Sequence, residues 1–284
     1  MGVGKNAIAS HTGQSCNISR SWPKSSSNKL LQSMRAQLIL ISLVIGLNSE
    51  LHADTATIAV ATNFKTAMAK LMTQFHQQYP QHQLKQSNSS SGAIVNQIIN
   101  GAPFDAFLSA DSRYPISLET QGHAVIDSRM TYAEGKLVVV APDQPISDRQ
   151  TLVKVVNSTA NRKRKIAIAN PDIAPYGIAA RQTLTHLKLW QKTEPHLVKG
   201  SNVGQSFQYV ATGNATIALV ALSQVRNLNP AMDYWLIPEH WYQPIRQQAI
   251  LLQSGQNNQA AVQFLDFLQS EPAKKTIRQQ GYRI

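Results

Sequence analysis

From residue 55 onward, short runs rich in Val, Ile and Ala alternate with segments whose apolar residues recur every three or four positions. The runs predict strands at "TATIAVA" (55–61), "HQLKQS" (82–87), "AFLSA" (106–110), "KLVVVAP" (136–142), "KIAIAN" (165–170), "HLVKG" (196–200), "TIALVAL" (216–222) and "YWLIP" (234–238). Between them, Phe64, Ala67, Met68, Leu71, Met72 and Phe75 follow the i, i+3, i+4, i+7 spacing of a helix that buries one stripe. Val95, Ile98 and Ile99 repeat that spacing, as do Ile178, Leu184 and Leu187, and later Phe264, Leu265, Phe267 and Leu268. Strand and helix in alternation predict an α/β fold with largely parallel sheets. No internal repeat and no low-complexity linker interrupts the pattern.

Residues 1–53 do not follow it. They hold Lys5, Arg20, Lys24, Lys29 and Arg35 against one acid, Glu50. Within them "MRAQLILISLVIGLNSELHA" has a basic start, an apolar run from Leu38 to Leu47 and a small residue, Ala53, before Asp54. That is the layout of a secretory signal peptide, and the apolar run is too short to span a bilayer. The expected leader is therefore 1–53, with Met34 the favoured true start, and the expected location is the periplasm. The leader also contains Cys16, the chain's single cysteine. A mature chain without Cys suits an oxidising compartment and excludes thiol catalysis and Cys-ligated metal.

Lys and Arg number 27 against 15 Asp and Glu, a formal charge of +12. Such an excess raises nucleic acid or an anionic membrane as a partner. A third of the excess belongs to the leader, however, and the densest run, "NRKRK" at 161–165, directly precedes an apolar strand and reads as a solvated loop. Nor do enzyme motifs emerge. His76, His82, His123, His186, His196 and His240 are scattered without HExxH spacing, and there is no GxSxG. Asp111, at the end of a strand, reads as a cap on the following turn. An effector-sensing or catalytic α/β domain stays a less favoured alternative, and no cofactor is expected.

Chemistry concentrates instead at four junctions of one kind. Thr62 and Asn63 follow the first strand; Ser89, Ser90, Ser91 and Gly92 follow the second; "PDIAPYGIAA" follows "KIAIAN"; and Ser201 and Asn202 precede Val203 after "HLVKG". Each runs from a strand's carboxyl end through small polar residues into a helix, the edge at which open α/β sheets bind ligands. Any one of them can be a cap worth about 1 kcal/mol and nothing more. Four helix starts aimed at one point would offer free N–H groups and roughly two balancing charges to an anion without a Lys or Arg.

The residues "ATNF", "SSSG…NQIINGAPFDAFLSAD", "GKLVVVAP", "IAIANPDIAPYGIAA", "GSNVGQSFQYVATGNATIALVALSQV" and "FLDFLQSEPAKKTIRQQGY" resemble the periplasmic molybdate-binding proteins of ABC importers, from about residue 56 to the C-terminus. The resemblance implies a type II periplasmic binding protein in which two α/β lobes close on a tetrahedral oxyanion. It implies ligand contacts at Thr62, Asn63 and Ser91 from one lobe and at Tyr176 and Val203, mainly through main-chain N–H, from the other; any molybdenum would be held only as molybdate. Many members have Ser where this chain has Asn63, and a Tyr hydroxyl where it has Ala221; the sequence is similar to the subgroup with Thr-Asn at the first junction and Tyr at the third. The lobes expected are 54–131 plus 244–284 and 137–238, with hinge crossings at 132–136 and 239–243, near "AEGKLVV" and "QPIRQQA". Implied partners are molybdate or tungstate and an inner-membrane ABC permease, with no nucleic acid and a monomeric receptor. Sulfate or phosphate is the alternative ligand. A pocket of donors alone suits a fully deprotonated oxyanion and leaves the proton of hydrogen phosphate unpaired, at about 1–3 kcal/mol.

Overall fold

A computed structural model of the chain describes residues 53–162, 164–226, 228 and 231–284. The expected leader, apart from Ala53, lies outside the described residues.

Two five-stranded sheets organise the rest. The first has the order β2-β1-β3-β10-β4, built from β1 (Thr55–Ala61), β2 (Gln83–Ser89), β3 (Ala106–Leu108), β4 (Met130–Gly135) and β10 (Ile245–Leu251). The second has the order β7-β6-β8-β5-β9, from β5 (Leu137–Val140), β6 (Ile166–Ala169), β7 (Leu197–Gly200), β8 (Ile217–Ala221) and β9 (Trp235–Leu236). The α/β fold is as expected, but each sheet is mixed. β1 pairs in parallel with β2 and β3, and β6 with β7 and β8, whereas β10 and β5 run antiparallel to both of their neighbours. The antiparallel strands are those next to the chain's passages between sheets. β4 ends at Gly135 in the first sheet and β5 begins at Leu137 in the second, with Lys136 alone between them; the return runs from Leu236 to Ile245.

Residue alternation along the strands explains why the first sheet carries helices on both faces. Ile58 and Val60 of β1, with Ala106 and Leu108 of β3, face one apolar cluster, which includes Phe64, Leu71, Phe75, Phe264 and Ile277. Ala59 of β1 and Phe107 of β3 face the other, against Ile94, Val95 and Ile98. Helices α1 (Lys65–Gln78), α9 (Gln259–Leu268) and α10 (Glu271–Gln279) supply the first cluster, and α2 (Ser91–Ile99) with α3 (Arg113–Thr120) the second. The predicted stripe of α1 is buried as written, with Met72 at its partly buried margin. Ile99 departs from expectation: at the last residue of α2 it is 45% exposed, and Ile94 takes the inward position.

The second sheet's strands β5, β6 and β8 are buried along their whole length, as continuous apolar runs require when helices cover both faces. Around them lie α4 (Arg149–Asn161), α5 (Pro175–His186), α6 (Trp190–Thr193), α7 (Val203–Ala211) and α8 (Leu222–Val225). The basic run leaves α4 into an exposed connection, where Arg164 and Lys165 precede β6.

Candidate functional site

In both sheets two adjacent parallel strands end side by side, with Ala61 beside Ser89 and Ala169 beside Gly200. Each of the four strands then turns into a helix. β1 enters a 3-10 turn, Thr62–Phe64, that continues into α1; β2 enters α2 at Ser91; β6 leads through Asn170–Ala174 to α5 at Pro175; and β7 leads through Ser201 and Asn202 to α7 at Val203. All four starts meet at one small cavity, lined by Ala61, Thr62, Asn63, Ser90, Ser91 and Ala110 from one side and by Ala174, Pro175, Tyr176, Asn202 and Val203 from the other. None of these lining side chains carries a charge. The five residues singled out in the sequence, Thr62, Asn63, Ser91, Tyr176 and Val203, all reach this cavity.

The simplest reading of the junctions, as ordinary side-chain caps, holds at one of the four. Asn202 accepts from the Gln205 N–H at 3.1 Å. At Ala61, Ser90 and Ala174 no side chain caps the helix. The first N–H groups of those helices have no carbonyl one turn back, and of those in α2 that of Gly92 is taken by the Ile173 carbonyl. In α5 the first position is Pro175, which has no N–H, so Tyr176 is the first residue there able to donate one.

Individual hydroxyls and amides are committed unequally. Ser91, fully buried, accepts the Ala110 N–H at 3.0 Å through Oγ, which leaves its own proton to donate. Ser90, 4% exposed, has a buried Oγ without a hydrogen-bond partner. The Thr62 hydroxyl donates to the Ser89 carbonyl at 3.0 Å. The Asn63 NH₂ group does not offer its protons to the cavity. Nδ2 is bound instead to Gln247 Oε1 at 2.8 Å and to the Tyr282 hydroxyl at 3.1 Å, so the main-chain N–H is the donor Asn63 has left for the cavity it lines. Its carbonyl accepts from Tyr282 at 2.7 Å and from Ser223 at 2.9 Å. Behind the cavity, burial pushes the hydroxyls of Tyr132, Tyr176 and Tyr282 well above the usual tyrosine range, and their mutual proximity adds to the rise for Tyr132 and Tyr176.

Beside the cavity, elements that follow the strands of the two sheets touch directly. The Gly92 N–H donates to the Ile173 carbonyl at 2.9 Å, and a Cβ on Gly204 would come within 2.7 Å of Thr62 Cγ2. Asp111, at the edge of an adjoining groove, caps a turn as expected, accepting the Tyr114 N–H at 3.2 Å and pairing with Arg113 at 2.8 Å. Ala221 ends β8 fully buried. Neither Ser90 nor Gln247 was singled out from the sequence. Three successive serines give no sign of which one lacks a partner, and a Gln inside an apolar strand looks like a solvent-facing residue.

Two α/β bodies closing on an uncharged, donor-lined cavity define a solute-binding protein of the two-lobed periplasmic type. The chain belongs to the bacterial extracellular solute-binding protein family, whose model matches residues 56–283. It is 39% identical over 252 residues to the molybdate-binding protein ModA of Azotobacter vinelandii, covering 86% of this chain and 98% of that one. It is 37% identical to the molybdate-binding protein ModA of Rhodobacter capsulatus, covering 88% and 97% respectively. The solved Azotobacter vinelandii periplasmic molybdate-binding protein superposes with a TM-score of 0.74 over 81% of this chain and 99% of that chain, at 38% identity. The sulfate-binding protein SubI of Mycobacterium tuberculosis shares the fold, with a TM-score of 0.65, at 13% identity.

Proposed function

We infer that this chain is a periplasmic receptor that captures molybdate and delivers it to an ABC permease, with no catalytic step of its own. The observation that carries the reading is the convergence of four helix starts on one cavity with no charged lining side chain. The identity to molybdate-binding relatives supports the choice among oxyanions. In this reading the dianion takes hydrogen bonds from the Ser91 and Thr62 hydroxyls and from the main-chain N–H groups of Thr62, Asn63, Ser91, Tyr176 and Val203. Peptide dipoles, each about half a charge, balance its two negative charges. Thr62 gives up its bond to the Ser89 carbonyl to do so, an exchange of one hydrogen bond for a charge-assisted one.

Tungstate, with the same charge and shape and nearly the same size, is bound as well. Sulfate is smaller, and donors fixed on rigid helix starts leave its oxygens at stretched distances. The bodies that part to admit the ligand are 54–131 with 244–284 and 137–238, with 132–136 and 239–243 as hinges. The receptor acts as a monomer, is exported by its 1–53 leader and has no nucleic-acid partner. Calorimetric titration of the purified protein with molybdate, tungstate, sulfate and phosphate tests the assignment. The expected result is a dissociation constant below about 1 μM, or more than about 8 kcal/mol, for molybdate and tungstate, with sulfate and phosphate far weaker. Tight sulfate binding with no molybdate binding overturns it.

A further inference from the structure

Behind the oxyanion cavity lies a polar cluster that capture of the ion does not itself require. Its centre is Gln247, fully buried in β10, where the pairing with β4 shifts register between Gln247 and Gln248. Gln247 Oε1 accepts from Asn63 Nδ2 at 2.8 Å and from the Tyr132 hydroxyl at 3.1 Å. The Asn63 donor fixes the carboxamide's orientation and leaves Nε2 to point the other way, while the single Tyr132 proton is divided between Gln247 Oε1 and the Ser109 carbonyl at 3.2 Å. There it meets the Tyr176 hydroxyl at 3.4 Å. Asn63, Tyr132 and Gln247 belong to elements of the first sheet, and Tyr176 to α5 on the second. One side chain beside the passage between sheets thus touches a cavity residue from each body.

The Tyr176 hydroxyl also needs a notch. A Cβ on Gly135, the last residue of β4 before the chain crosses, would lie 2.1 Å from that oxygen and 2.6 Å from Gln247 Nε2, distances no real side chain tolerates. The tyrosine tip therefore seats in space that glycine alone provides, and it can seat there only when α5 stands against the first sheet. At 3.4 Å the Gln247–Tyr176 contact is near the limit of hydrogen-bond reach, so it is the first link a small parting of the bodies would break.

We propose that Gln247 is a positioning residue for oxyanion capture: with the Gly135 notch it latches the Tyr176 side chain in the closed state and so holds the Tyr176 and Asn63 main-chain donors on the same ion. The inference rests on the molybdate-receptor reading. Neither Gln247 nor the Tyr176 hydroxyl touches the ligand; both act by slowing reopening. A buried residue that serves the fold alone would lower stability and leave ligand kinetics untouched.

A double-mutant cycle on the full chain separates these cases, using Tyr176→Phe, Gln247→Met and the pair, with molybdate association and dissociation rates measured beside the melting temperature of the ligand-free protein. Tyr176→Phe keeps the ring and the main-chain donor and deletes only the latched hydroxyl. Expected is a dissociation rate raised about threefold to tenfold in each single variant, the value of one hydrogen bond, with association little changed and the pair no faster than the worse single. Wild-type kinetics in Tyr176→Phe, or effects that multiply in the pair, would overturn the latch while wild-type molybdate binding leaves the receptor reading intact. Absence of molybdate binding in the wild type would instead sink the receptor reading. Should Gln247→Met fail to fold, the Tyr176→Phe rates alone decide.

Discussion

At the scale of single residues, the cavity divides its donors into two kinds that respond oppositely to substitution. Ser91 offers a hydroxyl whose acceptor side is already engaged by the Ala110 N–H. Ser91→Ala removes that donor and leaves a buried N–H without its acceptor, so molybdate affinity is expected to fall by about 1–3 kcal/mol in a calorimetric titration. Val203 offers only its main-chain N–H at the first position of α7, after an extended Asn202. Val203→Ala is therefore expected to bind as wild type does, whereas Val203→Pro deletes the donor at the one helical position that accepts proline readily. A Val203→Pro protein that melts normally yet binds molybdate as tightly as wild type would remove Val203 from the site. The sequence shows Thr62, Ser91, Tyr176 and Val203 as candidates because each stands where a strand meets a helix. It shows nothing of how Asn63 is used, since the partners that turn its carboxamide away, Gln247 and Tyr282, lie about two hundred residues further along the chain.

Elements place these donors through the register of parallel strands rather than through any one loop. Ala61 and Ser89 end level with one another, as do Ala169 and Gly200, so the helices that follow start at matching heights on facing edges. The apolar runs of β1, β5, β6 and β8 are plain in the sequence because strands buried on both faces need near-continuous Val, Ile, Leu and Ala. β4, "MTYAEG", and β10, "IRQQAIL", carry polar residues beside the crossings, so the apolar-run signal predicts neither as a strand, nor the antiparallel pairing between them. Closing the two edges together demands small residues where helices meet. Gly204, the second residue of α7, sits against Thr62 across the cavity. Gly204→Ala improves the helix by up to about 1 kcal/mol but crowds the Thr62 methyl on closure, at about 1–3 kcal/mol. The expected outcome is a ligand-free melting temperature equal to or above wild type together with molybdate affinity on the order of tenfold weaker. Undiminished affinity would show that the two bodies close less tightly around the ion than this structure does.

For the molecule as a whole, neutralising an anion with dipoles rather than cations has a consequence in pH. Of the lining side chains only Tyr176 titrates, and burial holds its proton well above the ordinary value of 10.0. Molybdate affinity is accordingly expected to stay flat across the neutral range, in contrast to a site built on His or on an ion pair. Above that range Tyr132, Tyr176 and Tyr282 act together. Each keeps its proton in the closed fold, mainly because burial disfavours tyrosinate, while in the unfolded chain each loses it near 10. The unfolded state then binds fewer protons than the folded one, so the slope of stability with pH is negative there. The contribution of the three hydroxyls is fully present below about pH 10 and is lost as pH rises above it toward their folded values. Melting temperatures across the alkaline range, with tyrosinate absorbance followed in the same samples, check the sign: these three rings should ionise only as the protein unfolds. Tyr176 adds a ligand term, because opening of the bodies draws its hydroxyl out of the Gly135 notch and lets it ionise nearer its ordinary value. Above about pH 10 molybdate should therefore weaken in step with tyrosine ionisation in the wild type and not in Tyr176→Phe. A tenfold fall in affinity near neutral pH would mean that a charged side chain, and not the helix starts, holds the ion.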